Sequence, residues 1–228
     1  MGPGVSVFVG YACGQDEFMR IQDERNDLRG TREAVLGAAC RVFSRHPYNA
    51  ASIRMIAREG GFGHAVIGYY FPTKEQLFRA VAAEICDDLY QANGQWIAEV
   101  RRMGLQDGFE HYVGRFVDFS REKPWVLRIM MLNIAGSEVG AVPGQDLIIE
   151  AIEGIRRTFV STMKLTASME EIGRFSDSFN AMVLYYLGAP ESAAWLLRMD
   201  LDSPEYFRWV QNTLVSVFLP MLGGLFER

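Results

Sequence analysis

A chain of 228 residues, 49% of them hydrophobic, can bury a substantial core as one large domain or two modest ones. Its formal charge of −5 excludes a protein that grips nucleic acid over its whole surface, because affinity for DNA is mostly electrostatic. No stretch reaches the roughly 18 consecutive apolar residues of a membrane span, so a cytoplasmic protein with no membrane partner is expected.

In chain order, residues 1 to 26 are rich in glycine and acids and read as a disordered arm, with Met19 an alternative initiator. The apolar run from Val5 to Ala12 lacks a basic leader. Gly2 and Ser6 meet the bare myristoylation pattern, but Pro3 follows the glycine and the match is read as chance. Residues 29 to 45 put Val35, Ala38, Ala39, Val42 and Phe43 on one face of a helix that ends near His46-Pro47. Ser52 is placed to cap a second helix with Ile53, Ile56 and Ala57 facing inward, and Gly60-Gly61 stop it. Phe62 plugs the turn, and Gly63 serves as N-cap of a two-turn helix from His64 to Tyr69. Thr73 with Gln76 predicts a capping box opening a long helix through Leu77, Phe78, Val81, Ile85 and Leu89. Helical spacing then continues through Phe109, Val113, Phe116, Val117 and Phe119 to a break at Pro124, and a further helix starts at Trp125. After a Gly/Pro-rich loop at 136 to 144, helices are predicted from Gln145 to about Leu165, over 171 to 187 and over 205 to 222. No β-hairpin signal appears, and the expectation is an all-α chain of about nine or ten helices.

The segment from 52 to 78 carries the functional signal. Two short helices joined by a glycine turn have the form of a helix-turn-helix, whose second helix enters the major groove by its N-terminal residues. Charge agrees: residues 27 to 80 hold eight Lys and Arg against four acids, a formal +4, and the residues after 80 carry −7. Basic charge is thus confined to the segment that would read DNA. His64, Ala65 and Val66 sit where base edges would be met, Val66 being suited to a thymine methyl. Ser52 and Arg54 are expected at backbone phosphates, and the Tyr70 hydroxyl and Lys74 at the start of the next helix as phosphate clamps. Arg29 and Arg32 either reach DNA or are simply solvated.

Ala39 to Phe43, Ser52, Ile56-Ala57, Gly61, Tyr70-Phe71-Pro72-Thr73-Lys74-Glu75 and Leu77 together resemble the pattern of the TetR family of bacterial transcriptional regulators, over roughly residues 27 to 80. Three positions depart from it: the family often has Ala where Gly60 stands, Ser at Gly63 and Tyr at Gly68. The last removes a tyrosine phosphate contact that Tyr69 is positioned to take over. The resemblance implies a homodimeric regulator, by family expectation a repressor. Residues 27 to 72 would bind a pseudo-palindromic double-stranded DNA operator, and residues 73 to 228 would form a helical ligand-binding and dimerisation domain.

Under that implication Phe116, Phe119, Trp125, Met130, Asn133 and Tyr185 are candidates to line a cavity for an apolar or aromatic effector, with Asn133 orienting it. The same aromatics at helical spacing also suit plain core. Phe207, Leu214 and Phe218 extend the apolar face of the last helix and are candidates for the dimer interface. Cys13, Cys40 and Cys86 are an odd number without C-x-x-C spacing, read as reduced thiols, the last two buried. No catalytic motif, metal-ligand spacing or cofactor-binding loop is visible, so neither an enzyme nor a metal or cofactor is expected. The rival reading is a helical small-molecule-binding protein or orphan enzyme with a vestigial helix-turn-helix, motivated by the glycines at 63 and 68.

Overall fold

The computed structural model describes residues 30–134, 140–163 and 165–226; the predicted N-terminal arm, Arg29, Cys13 and residues 136–139 of the 136–144 loop lie outside them. The described residues form ten helices and no strand. They are α1 (30–43), α2 (Ile53–Gly60), α3 (His64–Tyr70), α4 (Lys74–Val100), α5 (Leu105–Glu122), α6 (Pro124–Ile134), α7 (Gln145–Met163), α8 (Met169–Gly188), α9 (Pro190–Leu197) and α10 (Pro204–Gly224).

The first three helices pack on the start of α4 because each offers one apolar stripe. Val35, Ala38, Ala39, Val42 and Phe43 of α1, Ile56 of α2 and Ile67 of α3 close over Leu77 and Phe78 of α4, all of them buried. Phe43 meets Phe78 edge to face, with ring centroids 4.7 Å apart. Thr73 caps α4 by accepting from the Gln76 amide at 3.1 Å, which is the first half of the predicted capping box. A complete box forms at α8, where Ser168 and Glu171 bond reciprocally. At 1.5 Å rise per residue the 27 residues of α4 extend about 40 Å. Its far end buries Trp96, Ile97 and Val100 among the later helices.

Those later helices form a layered bundle: α4 lies against α7, α6 against α8, and α10 against both α5 and α8. Gly188 is where α8 closes most tightly on α6, since a Cβ there would stand 2.8 Å from the Leu127 carbonyl oxygen. Helix α9 has no counterpart in the sequence expectations. Pro190 at its first turn supplies a fixed φ, and Arg198 in the left-handed region (φ 55°) ends it within two turns, too short for a periodic signal. The chain end is tied back where the Leu225 carbonyl accepts from the Thr166 and Ala167 amides at 3.0 and 3.2 Å.

The dimer-interface expectation is corrected at two of its three residues. Leu214 is 0% exposed and Phe218 2% exposed within a single chain. Phe218 meets the rings of Phe175 and Phe179 edge to face at 5.8 and 5.3 Å. The apolar repeat on α10 thus fills its own bundle, and its outward apolar residues are Val217 and Met221. Phe207 is half-buried beneath the Arg121 guanidinium, 5.4 Å from its ring centre.

Cys40 and Cys86 are free and buried, as read from the sequence. Burial pushes both thiols up from 9.0 to about 12, helped at Cys40 by the carboxylates of Glu84 and Asp88. The folded chain therefore holds these protons more tightly than the unfolded chain. Their stabilising effect is complete below pH 9 and is lost as pH rises from 9 toward 12. Urea midpoints measured across that range are expected to fall, less steeply in the Cys40→Ala/Cys86→Ala double variant. Both thiols should stay unmodified by a disulfide reagent at neutral pH until urea unfolds the chain.

Candidate nucleic-acid interface and a separate cavity

The geometry of the helix pair follows from its caps. Ser52 is extended and its hydroxyl accepts from the Met55 amide at 3.3 Å, fixing the start of α2. Gly61 ends α2 in the left-handed region (φ 69°), and the Phe62 amide reaches back to the Ala57 carbonyl at 2.9 Å. The Phe62 ring then lies over Gly60, where an added Cβ would stand 2.0 Å from it. This is the physical reason that Gly, rather than the alanine common at this position in the resembling family, stands at 60: the plug occupies that space.

Helix α3 is held through Ile67, which is fully buried, and its remaining face is open. His64, Ala65, Val66, Gly68 and Tyr69 are all exposed, Tyr69 to 72%. Gly63 caps α3 with extended backbone and no side-chain bond, so the missing serine leaves the helix start intact. Tyr70 is half-buried and packs edge to face on Tyr69, with centroids 5.0 Å apart. Of the sequence candidates for DNA contact, the structure brings Gly63, His64, Ala65, Val66 and Tyr69 together on one outward ridge that carries no formal charge.

Cations beside that ridge divide into two sets. Arg54 and Arg58 of α2 are exposed and have no ion pair among the described residues; Arg58 was not singled out from the sequence. Arg41 and Arg45 instead converge on Glu59, the former at 2.8 Å, and hold its carboxyl below the usual range. Arg32 lies over the Phe71 ring at 5.1 Å. Much of the basic excess of this segment is therefore used in holding α1 against α2 and the turn after α3.

Lys74 requires a correction. Rather than projecting outward as a phosphate clamp, its ammonium donates to the carbonyls of Tyr48 at 2.9 Å and Ala51 at 3.1 Å. It also lies 4.2 Å from the centre of the Tyr48 ring. Asn133 requires a second. It is 1% exposed and faces the loop before α2: its Oδ1 accepts from the Tyr48 amide at 2.9 Å, and its Nδ2 donates to the Ile129 carbonyl at 2.8 Å. Those two partners fix the amide orientation, since Tyr48 can only donate and Ile129 only accept. The only hydrogen-bonding side chain among the last five residues of α6 thus ends at the loop that starts the helix-turn-helix.

A roomier cavity than these residues border lies elsewhere. About 480 Å³ in volume, it is enclosed by the end of α4, the start of α5, α7, α8 and the end of α10, with Phe109, Ile152, Phe159, Phe175 and Phe179 among its walls. None of the six sequence candidates lines it. Phe116 and Phe119 pack on Trp96 with centroids 4.8 and 5.5 Å away. Phe116 and Met130 border only a void of about 20 Å³, and Phe119 a separate polar cleft of about 250 Å³. Trp125 is half-buried against the core, and Tyr185 pairs with Tyr186. These aromatics are core, the reading that their helical spacing equally allowed. A usable signal for the true cavity was Arg156, a charge set within the apolar run Ile152, Ile155, Phe159 of α7. Deeper in, the Tyr112 hydroxyl, kept neutral by burial that raises its pKa, donates to Asn93 Oδ1 at 2.7 Å.

Residues 35–81 match the family model described as bacterial regulatory proteins, tetR family. The HTH-type transcriptional regulator RutR of Escherichia coli K12 is 24% identical over 129 residues, which cover 54% of this chain and 53% of that protein. The chain spans about half the length of the curated relatives it matches. A tetR-family transcriptional regulator from Streptomyces coelicolor superposes with a TM-score of 0.61 at 20% identity, covering 86% of each chain. AibR, solved in complex with isovaleryl coenzyme A and operator DNA, gives 0.60 at 17% identity, over 83% of this chain and 98% of its own. At these identities the structural likeness establishes the fold.

The node at Tyr48 predicts a specific stability pattern. Lys74→Met and Asn133→Ala each leave backbone groups of one loop unpaired and should each cost about 1–3 kcal/mol in urea unfolding. Because both act on Tyr48, the double variant is expected to depart from the sum of the two by at least about 0.5 kcal/mol. Simple additivity would show that the two contacts do not form one unit.

Proposed function

We propose that this chain, whose residues 35–81 match the tetR family of bacterial regulatory proteins, is a DNA-binding transcriptional regulator, acting as a repressor that a small molecule releases from a pseudo-palindromic operator. The observation that carries this is the exposed ridge of α3, without Lys, Arg, Asp or Glu, beside Arg54 and Arg58, which have no ion pair among the described residues. A neutral ridge suits the floor of the major groove, and flanking guanidinium groups suit the phosphates on its rim. The rival reading of a vestigial helix-turn-helix loses its motive, since the turn is intact and α3 is capped without a serine.

In this reading residues 27 to 72 meet DNA and residues 73 to 228 bind the effector and pair two copies. His64 and Val66 read base edges, and Tyr69 supplies a phosphate contact in place of a residue at 68. The cavity between α4, α5, α7 and α8 takes the effector, and the neighbour solved with both an acyl thioester and DNA supports assigning both partners to one fold. The effector must favour one arrangement of α4, and about 1.4 kcal/mol of preference gives a tenfold loss of DNA affinity. Two copies pair through the outward faces of α8 and α10, where Val217 and Met221 present apolar side chains one turn apart.

Fluorescence anisotropy with labelled duplexes from the DNA flanking its own gene tests the first claim. A saturable complex is expected, with log affinity falling against log salt at a slope near −4 or steeper. Arg54→Ala and Arg58→Ala should each lower the slope by about two for a dimer, while His64→Ala changes preference among duplexes. Binding that ignores both arginines would remove the regulator reading of this face. For pairing, sedimentation should show a dimer that Val217→Glu with Met221→Glu dissociates into folded monomers, whereas Phe218→Glu should unfold the chain itself.

A further inference from the structure

The cavity has an electrostatic character that its aromatic walls conceal. Among the described residues its ionisable lining groups are Arg101 at the exposed end of α4, Arg156 of α7 and the neutral Tyr112, with no carboxylate. Arg156 bonds Asp177 of α8 through Nη2, but the Asp177 side chain is 66% exposed and its charge is screened by water. The Nε of Arg156 is buried and has no hydrogen-bond partner among the described residues. A buried guanidinium donor without an acceptor is uncommon in folded proteins and marks a place where an acceptor belongs.

A second observation lies at the inner end. Asn180 lines both the cavity and the small void beyond it, and Asn93, 1% exposed, lines that void. Asn93 Oδ1 is taken by the Tyr112 hydroxyl, and its Nδ2 is buried and unpartnered. Two orphaned donors, one cationic and one neutral, thus border two neighbouring spaces that share Ile152, Ile155 and Asn180 as walls. Both ask for an acceptor, and the cationic one favours an anion.

Resting on the reading of this cavity as the effector site, we propose that its ligand is an apolar carboxylic acid, with the carboxylate on Arg156 and a hydrocarbon or aromatic body among Phe109, Phe159, Phe175 and Phe179. A body of roughly six to ten carbon atoms matches a cavity of this size. The two arginines, with no carboxylate among the described lining residues, oppose a cationic ligand. The geometry also assigns Asp177 an opposing role: it competes with the ligand for the Arg156 guanidinium, so its removal strengthens binding.

Isothermal titration of the full chain with 4-phenylbutanoate, 4-phenylbutanamide and 4-phenylbutylamine tests the proposal with one apolar body and three charges. The acid is expected to bind at least tenfold more tightly than the amide, and the amine not at all. Arg156→Gln should bring the acid down to the level of the amide and leave the amide unchanged, while Arg156→Lys keeps the preference for the acid. Asp177→Asn should tighten the acid severalfold and leave the amide unchanged, a gain that general loosening of the fold does not produce. Equal binding of acid and amide by the wild-type chain overturns the carboxylate assignment and leaves the cavity as an effector site. Failure of all three to bind overturns the cavity reading as well.

Discussion

The placement of the helix-turn-helix on the rest of the chain depends on one ammonium group. Lys74 stands at the first position of α4, where the helix dipole disfavours a cation, yet its Nζ is turned inward onto two carbonyls. The Tyr48 ring and the two oxygens offset that disadvantage. Ala51, whose carbonyl it holds, is the residue immediately before the N-cap of α2. The start of α2 is thereby tied to the start of α4, and α3 follows α2 through a turn that Phe62 locks. A small change in how the 47–51 loop sits on α4 therefore turns the whole outward ridge of α3.

Two contacts from the bundle reach this junction, and their settings decide which matters. Arg79 and Asp146 join α4 to α7 by a pair of 3.0 Å bonds, but both side chains face water, where such pairs contribute little. The Asn133 end of the bond to the Tyr48 amide is buried, and breaking it leaves its Oδ1 without water to replace the lost partner. Helix α6, which carries Asn133, packs against α8, and α8 supplies Phe175, Phe179 and Asn180 to the cavity. A chain of packed contacts from the cavity to the base of the α3 ridge therefore runs through α8 and α6 to Tyr48, in parallel with the rigid length of α4. Either path transmits a preference only if the ligand binds its alternative positions unequally.

Much of the fold was legible because periodicity and caps are local. Ser52, Gly61 and Thr73 each acted where the sequence placed them, and helix limits fell within a few residues of those read from apolar spacing. The exposed ridge from Gly63 to Tyr69 was legible for the same reason, since a seven-residue helix with one buried isoleucine has little else to bury. What was not legible was direction over distance. Lys74 and Asn133 look like free polar groups in sequence, and only the packing of segments 23 and 85 residues away shows the backbone atoms they satisfy. The cavity eluded the same reading because aromatic spacing is identical for a filled core and for a lined space. Leu214 and Phe218 failed as interface residues because an apolar stripe does not say whether its cover belongs to the same chain.

Gly68 stands in the middle of α3 with open space where a side chain would be, and Gly63 before the helix is equally unobstructed. A glycine inside a helix costs about 0.5–1 kcal/mol relative to alanine, so many replacements at 68 would gain backbone stability while changing the outward surface of α3. Recognition and foldedness are thus uncoupled at these positions, unlike at Gly60, where the Phe62 ring forbids a change. Under the proposed regulator reading, a lineage carrying this chain could diversify its target sequence after gene duplication without first approaching the stability threshold that ordinarily limits new specificities.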